Sequence, residues 1–212
     1  MANTVKNEKK ESELLNKNVT YYYDDYVNIK EHEERRLYIN GEIDEFVADE
    51  IVTAILDYNR QDRDIKDVSL RRPILLYCTS VGGSVIDGFA IIDAILSSRT
   101  PVYLINLAYQ YSMGFLIGLA GHKRFAMPNA TFLMHDGSNF VFNSTAKVGD
   151  QLKFQEQQEK RTKEYILSRS KLTSKKYDQM YRVEWQMYSQ EAKECGFTDY
   201  IIGVDCSLDD IL

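Results

Sequence analysis

Proline, cysteine and histidine are scarce in this chain of 212 residues, with three of each. Three prolines and eleven glycines are too few for a fibrous or disordered chain. The cysteines, Cys78, Cys195 and Cys206, are odd in number and lack metal-ligand spacing, so we expect reduced thiols rather than a disulfide framework or a zinc site. Histidines stand only at positions 32, 122 and 135, which leaves few candidates for an imidazole base.

Long hydrophobic runs and an excess of basic residues are also missing. The longest apolar runs are about half of the ~20 residues that a membrane span needs. The first residues lack the apolar centre of a signal peptide, so we expect a cytoplasmic protein with no membrane partner. Twenty-six Lys and Arg oppose 32 Asp and Glu, a net charge of −6 without a basic stripe, which argues against a nucleic-acid partner.

What the chain does have is a change of composition near its start. Residues 1–36 combine a Lys- and Glu-rich beginning with a run of tyrosine and aspartate at 21–26, so they predict an N-terminal arm. Residues 37–212 predict a single domain, because no repeat or linker-like segment divides them.

Short apolar runs alternate with stretches of helical period after the arm. The runs lie at 37–39, 74–78, 102–105 and 132–134. They are continuous in their apolar character, which is typical of strands buried on both faces of a parallel sheet. This alternation predicts the α/β class, with mostly parallel strands and covering helices on both faces.

The helical stretches have recognisable bounds. They predict helices from about Glu45 to Tyr58, from Val85 to Leu96, and from near Ser112 onward. The first would turn four apolar side chains toward the core: Phe46, Ile51, Ile55 and Leu56. A short helix from Ser189 to Cys195 would have Ser189 as its N-cap and Gly196 as its stop.

One long helix, at about residues 147–170, is predicted after the last of these strands. At 1.5 Å per residue it would be ~36 Å long. Its middle is polar on all sides, with Glu156 four residues before Lys160 and Glu159 four residues before Lys163. Such a helix projects into solvent or bridges to another subunit.

The segment from Thr79 to Ser84 contains the pair Gly82-Gly83 between a predicted strand and a predicted helix. Two glycines there let the backbone turn tightly and present N–H groups to an anion or a developing oxyanion. The segment has neither the Lys-Ser/Thr of a Walker loop nor the spacing of a dinucleotide motif. The alternative is a turn that needs glycine only for its own geometry.

Ser112 lies at a second junction of a strand and a helix. A serine there stands above the sheet edge with the N–H of Met113 beside it, which is the arrangement of a nucleophile elbow. The alternative is an ordinary N-cap serine.

His135 follows a buried strand and precedes an Asp-Gly turn. Active sites of open parallel sheets gather at strand ends, and His32 and His122 lie in charged or polar segments, so His135 is the candidate imidazole. The alternative is a histidine whose ring is satisfied by the turn.

Together these segments resemble the proteolytic subunits of the Clp protease family. The matching motifs are Ser80-Val81-Gly82-Gly83-Ser84, Tyr111-Ser112-Met113-Gly114, and Lys123 to Ala130 followed by Met134-His135. Met187, Glu191 to Glu194, Gly196 and Asp199 match the family's C-terminal helix pattern. The motifs occur in the family's order from about Arg36 to Ile202, and their combination is more specific than any one of them.

The resemblance implies the family's crotonase-like α/β spiral, with the long polar helix as a protruding handle. It implies Ser112 as the nucleophile, His135 as the general base, and an oxyanion hole made by Gly83 and Met113. It also implies a serine endopeptidase without metal or cofactor, which cleaves peptides or unfolded proteins inside homo-oligomeric rings. Because the chain has no nucleotide-binding loop, folded substrates would require a separate ATPase unfoldase.

The chain departs from the family pattern at several positions. Glu184 stands where the family carries its catalytic Asp, so the implied triad is Ser-His-Glu; Asp136 is a weaker rival, and a solvated Glu184 carboxylate is the alternative. Val81 replaces a proline of the glycine loop. Tyr109 and Tyr111 replace small residues, so either the substrate pocket or the sheet packing beneath it must differ.

Two other functions stay open at this point. The Glu184 departure is compatible with a catalytically silent or conditionally active ring subunit that partners another peptidase subunit. A crotonase-type acyl-CoA enzyme would share the fold and use the glycine-loop N–H groups for an enolate, but it would not need Ser112 and His135 together.

Overall fold

The computed structural model describes residues 23–136 and 145–211. The chain divides into two compact units, and these are Met1–Glu34 and Arg35–Leu212. In the first unit the described residues form helix α1 (Tyr23–Glu33), and residues 1–22 of the predicted arm lie outside the described residues. Among the described residues, every helix is too short or too polar to cross a bilayer.

The first half of the second unit alternates strictly between strands and helices. Its elements are β1 (Arg36–Ile43), α2 (Glu45–Gln61), β2 (Ile74–Gly83), α3 (Val85–Ser97), β3 (Val102–Tyr111) and α4 (Met113–Ala120). A single 3₁₀ turn, Val68–Leu70, interrupts the connection between α2 and β2. All the strands and helices predicted here are confirmed, and each strand extends several residues beyond its apolar run because the polar residues that follow still pair in the sheet.

The second half has shorter strands around one long helix. Its elements are β4 (Lys123–Ala126), β5 (Thr131–Met134), α5 (Thr145–Ser168), α6 (Ser174–Met180), β6 (Trp185–Tyr188), α7 (Ser189–Glu194) and β7 (Tyr200–Ile201), with a 3₁₀ turn at Leu208–Asp210. The predicted long helix is therefore present as α5, two residues earlier at each end. It ends at Ser168 because the hydroxyls of Ser168 and Ser170 donate to the Tyr165 and Ile166 carbonyls in its last turn.

The sheet is mostly parallel, as predicted. Strands β1, β2, β3, β4 and β7 pair in that order, all in parallel. Strand β3 pairs first with β4 and then, over Tyr109 to Tyr111, with β5, while β6 pairs with β5 in the antiparallel direction. The carboxyl ends of β2, β3 and β5 consequently meet at one edge of the sheet, which is where ligands bind in such folds.

Both faces of the central strands are buried. On β2, Ile74, Leu76 and Cys78 pack under helices α2, α3 and α4, whereas Leu75 and Tyr77 pack on the other face with Phe125, Ile202 and Ile211. A further core surrounds α4, α5 and β6 and includes Phe115, Ile166, Trp185 and Phe197. Successive residues of β2 thus pack on opposite faces of the sheet, which is why its apolar run is continuous.

The prediction that four apolar side chains of α2 face the core is wrong for two of them. Phe46 and Leu56 are 75% and 57% exposed, although Ile51 and Ile55 are buried as expected. The buried face is completed by smaller or more polar residues, Ala48, Ala54 and Tyr58, which follow the helical spacing from Ile51 more closely.

The predicted N-cap of the short helix α7 is also wrong. Tyr188 is the N-cap, and Ser189 is fully buried, with its hydroxyl donating to the carbonyls of Met127 at 2.7 Å and Ala130 at 3.1 Å. The stop at Gly196 is confirmed: its φ is +75°, and the N–H of Phe197 donates to the Ala192 carbonyl.

Candidate active site

The end of β2 brings the two glycines against the start of α4. Gly82 and Gly83 have φ angles of +105° and +146°, which residues with a side chain rarely adopt. A Cβ on Gly82 would lie 2.7 Å from Cβ of Ser112. The hydroxyl of Ser80, which is fully buried, donates to the Gly41 carbonyl and accepts the N–H of Gly82, and so fixes the segment. Glycine is needed at position 82 because the loop lies directly against Ser112.

Ser112 has a strained backbone between β3 and α4. Its φ of 53° and ψ of −118° cost about 1–3 kcal/mol for a residue with a side chain. The Ser112 N–H donates to the Leu133 carbonyl at 3.0 Å, and its carbonyl accepts the N–H of Leu116. Ser112 occupies the N-cap position of α4, as the alternative expected, but its hydroxyl makes no capping bond to the helix. The strain instead sets this side chain at a sharp elbow, as a nucleophile requires.

His135 directly follows β5, the strand whose Leu133 carbonyl accepts the Ser112 N–H. Within the described residues its Nε2 is buried and has no hydrogen-bond partner, so Ser112 does not bond to it. Burying a polar atom unpaired costs about 1–3 kcal/mol, and such groups cluster where function requires them. The alternative, a ring satisfied by the Asp-Gly turn, stays open, because Gly137 lies outside the described residues.

A cavity of about 490 Å³ connects these segments. Gly83, Ser112, Met113 and His135 all line it, so four of the five site residues expected from the sequence share one space. The cavity walls also include residues of α4, α5 and α6, namely Phe115, Leu116, Phe154, Gln155, Gln158, Glu159, Thr162, Ile166, Tyr177 and Tyr181.

Glu184 is not among the residues that line this cavity. Its side chain is exposed in the connection that leads into β6. The antiparallel pairing of β5 and β6 ends at Met134 and Trp185, and His135 and Glu184 are the residues that follow and precede this last pair. Directly opposed residues of antiparallel strands point to the same side. Asp136, the rival carboxylate, is exposed and one step out of this register.

Tyr177 of α6 and Tyr181, the residue that caps the end of this helix, form a wall that sequence reasoning missed. The rings of Tyr177 and Tyr181 stack with centroids 5.2 Å apart, and within the described chain the buried Tyr177 hydroxyl has no hydrogen-bond partner. Burial chiefly raises the pKa of both hydroxyls, and the carboxylates of Glu159 and Asp136 raise it further. Both phenols are therefore neutral at ordinary pH. The sequence signal for this wall was weak, because α6 is a single short helix of seven residues.

Tyr109 and Tyr111 belong to the sheet and not to the cavity walls. Their rings lie 5.2 Å apart, and the Tyr111 hydroxyl is 2.8 Å from the hydroxyl of Thr131 on β5. Of the two consequences expected for these tyrosines, the altered sheet packing is the one that the contacts support.

The three thiols are free, as expected, and none has the lowered pKa that a nucleophilic cysteine needs. Burial raises the pKa of Cys78 to about 12, and it also raises the pKa values of Cys195 and Cys206. The thiolate is the nucleophilic form, so these thiols are inert at neutral pH.

Comparison with known proteins finds one family. A sequence model described as Clp protease matches residues 19–205. The ATP-dependent Clp protease proteolytic subunit 1 of Streptomyces avermitilis is 31% identical over 196 residues, which are 89% of this chain and 83% of that protein. The proteolytic subunit of Streptococcus uberis is 30% identical over 80% of this chain and 85% of its own length. Subunit 2 of Treponema pallidum is 37% identical over 105 residues, about half of each chain at 49%.

Proposed function

Because this chain belongs to the Clp protease family, we propose that it is a serine endopeptidase subunit with Ser112 as its nucleophile and His135 as its general base. The observation that carries this proposal is the shared cavity, where a strained serine with an uncommitted hydroxyl meets a histidine whose buried Nε2 lacks a partner among the described residues. The inert thiols leave no competing cysteine nucleophile.

The proposed reaction is acyl transfer through Ser112. His135 Nε2 accepts the hydroxyl proton as Ser112 Oγ attacks the peptide carbonyl, and the resulting imidazolium protonates the leaving amine. Water then attacks the acyl-enzyme, with His135 again as the base. We propose that the two side chains rotate into hydrogen-bond contact when substrate binds, since catalytic pairs are commonly loose without substrate.

The oxyanion hole is proposed to use the N–H groups of Gly83 and Met113. Met113 is the first residue of α4, so the helix itself provides no acceptor for its N–H, and the helix dipole favours negative charge there. Gly83 lies in the same cavity on the other side of Ser112. Loss of one such donor typically lowers the rate by about a hundred- to a thousandfold.

Glu184 is proposed as the acid that orients His135. The pairing of β5 and β6 supports this role, since Glu184 and His135 flank its last pair and would face each other if the register continued by one step. A carboxylate in this position holds the imidazole in the productive tautomer and stabilises the imidazolium. The extra methylene of Glu relative to Asp requires the side chain to fold back from its exposed position.

A fluorophosphonate probe tests the assignment. We expect the probe to modify the protein at one site, and we expect Ser112→Ala and His135→Ala to abolish the modification. Glu184→Gln should slow it by about tenfold or more, whereas Asp136→Asn, one residue from His135, should change it far less. Unchanged labelling of the Ser112 and His135 variants would refute the proposed function.

We also propose assembly into homo-oligomeric rings that enclose the sites and receive peptides or unfolded segments. Large apolar side chains on the subunit surface support assembly: Phe46, Leu70 and Ile86 are 75%, 72% and 76% exposed. The relatives are named as subunits of an ATP-dependent protease. Since this chain has no nucleotide-binding motif, degradation of folded proteins would need a separate ATPase unfoldase.

A silent or conditionally active ring subunit is the second candidate function. The exposed Glu184 favours it, because an acid outside the cavity leaves His135 without the third member of a triad. Native mass spectrometry after co-expression with a related subunit distinguishes the two. Homo-oligomers that hydrolyse peptides alone would exclude the silent subunit.

A further inference from the structure

We propose that the cavity beside Ser112 selects substrates that carry a basic side chain next to the cleaved bond, with Glu159 of α5 as the residue that sets this preference. The inference rests on the proposed function, because it assigns a substrate class to the same site. It follows from the shape of the cavity, from the charges of the residues that line it, and from the neighbours of those charges.

The cavity is apolar near the sheet and polar along α5. Phe115 and Met134 are buried core residues, and Ile166 is buried at the inner end of the same wall. Toward its N-terminus the same face of α5 presents Thr162, Glu159, Gln158 and Gln155 at helical spacing. A lysine or arginine side chain has the matching order, with an apolar stem and a charged tip.

The charge of the lining is negative. Among the described residues that line the cavity, Glu159 is the one carboxylate, and no lysine or arginine is present. His135 is the one other acidic or basic residue there. Gln155 Nε2 donates to Glu159 Oε1 at 3.3 Å, which restrains the carboxylate. The cations nearest along α5 have other partners, since Lys163 pairs with Asp178 at 2.5 Å and Lys160 with Glu164 at 4.0 Å. The Glu159 carboxylate is therefore available to a cation brought by the substrate.

Neighbouring groups favour the same ligand. The Asp136 carboxylate is close enough to act electrostatically on both Tyr177 and Tyr181, as Glu159 does. Lys163 Nζ lies 5.4 Å from the centroid of the Tyr177 ring, whereas Tyr181, which also lines the cavity, has no cation–π partner among the described residues and can offer one to an ammonium or guanidinium group. An acidic side chain in the same position would meet the Glu159 carboxylate and no Lys or Arg of the described lining, so the site disfavours it.

Two diphenyl phosphonate probes test the preference, one with the side chain of lysine and one with that of norleucine, which has the same stem without the amine. Labelling forms a bond between Ser112 Oγ and phosphorus and expels phenol, with the serine proton passing to the leaving phenoxide through His135. We expect the lysine probe to react about three- to fivefold faster, the size of an exposed charge pair. About 0.5 M NaCl should reduce the ratio.

Glu159→Gln should bring the ratio of the two rates close to one. Glu156→Gln is the matched control, because Glu156 is exposed on the same helix and does not line the cavity, and it should leave the ratio unchanged. Labelling by both probes with a ratio near one in the unmodified protein, or a ratio that Glu159→Gln does not alter, would overturn the inference alone. Failure of both probes and of a plain fluorophosphonate to label Ser112 would overturn the proposed function, and the inference with it.

Discussion

Gly82 and Ser112 are so close that only a hydrogen atom fits between the loop and the serine side chain. A Cβ at position 82 would also lie 3.1 Å from the Met113 nitrogen, which is one of the proposed oxyanion donors. The loop thereby sets the distance between the nucleophile and both backbone donors. Because electrostatic catalysis depends on donors placed in advance of the reaction, this contact should affect the rate as well as the stability.

Gly82→Ala is expected to slow fluorophosphonate labelling of Ser112 by about tenfold or more. It should also lower the free energy of unfolding by about 2–5 kcal/mol, the cost of a side chain at positive φ plus that of the close contact with Ser112 Cβ. Mass spectrometry follows the labelling, and urea unfolding measures the stability.

Gly149→Ala is the control for this substitution. Gly149 lies in α5 with no heavy atom within 4 Å of a built Cβ, so alanine should stabilise the helix by roughly 0.5–1 kcal/mol and leave labelling unchanged. Normal labelling of Gly82→Ala would show that the tight contact does not matter for the site.

Residues of the site differed in how well the sequence predicted them. The positions of Ser112, His135 and the glycine loop at strand ends marked them as candidates, the resemblance to a known family implied their roles and those of Gly83 and Met113, and the structure gathers all four residues at one cavity. The wall residues Glu159 and Tyr177 carry no motif, and their place depends on how α5 and α6 pack over the sheet. Such long-range packing leaves no local pattern in the sequence.

The junction of helix α2 with strands β1 and β3 depends on a charge pair. Arg35, just before β1, donates to both carboxylate oxygens of Asp62 at 2.7 Å, and the Thr100 hydroxyl donates to Asp62 at 2.8 Å. Both side chains are largely buried, at 12% and 4% exposure. The hydrogen bonds from Arg35 in particular hold the pKa of Asp62 below its ordinary value.

This pair gives a pH-dependent prediction. Because folding lowers the pKa of Asp62, its stabilising contribution is complete above the ordinary Asp pKa of about 4 and is lost as the pH falls through the lower pKa of the folded state. Asp62→Asn should therefore cost about 2–3 kcal/mol at pH 7. Urea unfolding from pH 7 to pH 3 should show the difference from the unmodified protein shrinking at the acid end.

Asp64→Asn provides the comparison for the pH series. The Asp64 side chain is 86% exposed, and its contact with Arg63 is 3.7 Å long. Its substitution should change the unfolding curve little at any pH. If Asp62→Asn lowered the free energy of unfolding by the same amount at every pH, the packing of the Asp62 side chain, and not its charge, would explain the stability of this junction.

Elements were predicted more reliably than the faces they bury. Period and length located the central strands and helices because helix and strand spacings differ along the chain. Phe46 and Leu56 were misassigned because large side chains were given priority over Ala48 and Ala54, which lie on the packed face. Strand β6 was not predicted, since its four residues alternate in burial over too short a length.

At the scale of the whole molecule, a single chain supplies a cleft but no chamber. The 490 Å³ cavity belongs to one subunit, and large apolar side chains such as Phe46 and Leu70 are exposed on its surface. If rings enclose the sites, copies of the chain confine the substrate. A second protein would then unfold it.

Negative-stain imaging of the purified protein examines this assembly. We expect hollow rings or stacked rings, because homo-oligomers with closed symmetry are the common way to bury self-complementary apolar surface. Particles that remain compact monomers at high protein concentration would contradict the ring proposal while leaving the Ser112 chemistry open to test.

The most direct test of the central claim is to map the residue that a fluorophosphonate modifies. After labelling and proteolysis, mass spectrometry should place the adduct on Ser112, and His135→Ala should remove it while Gly149→Ala keeps it. That result would establish the serine–histidine pair as the catalytic centre. An adduct on another residue, or labelling that survives the loss of His135, would contradict the account.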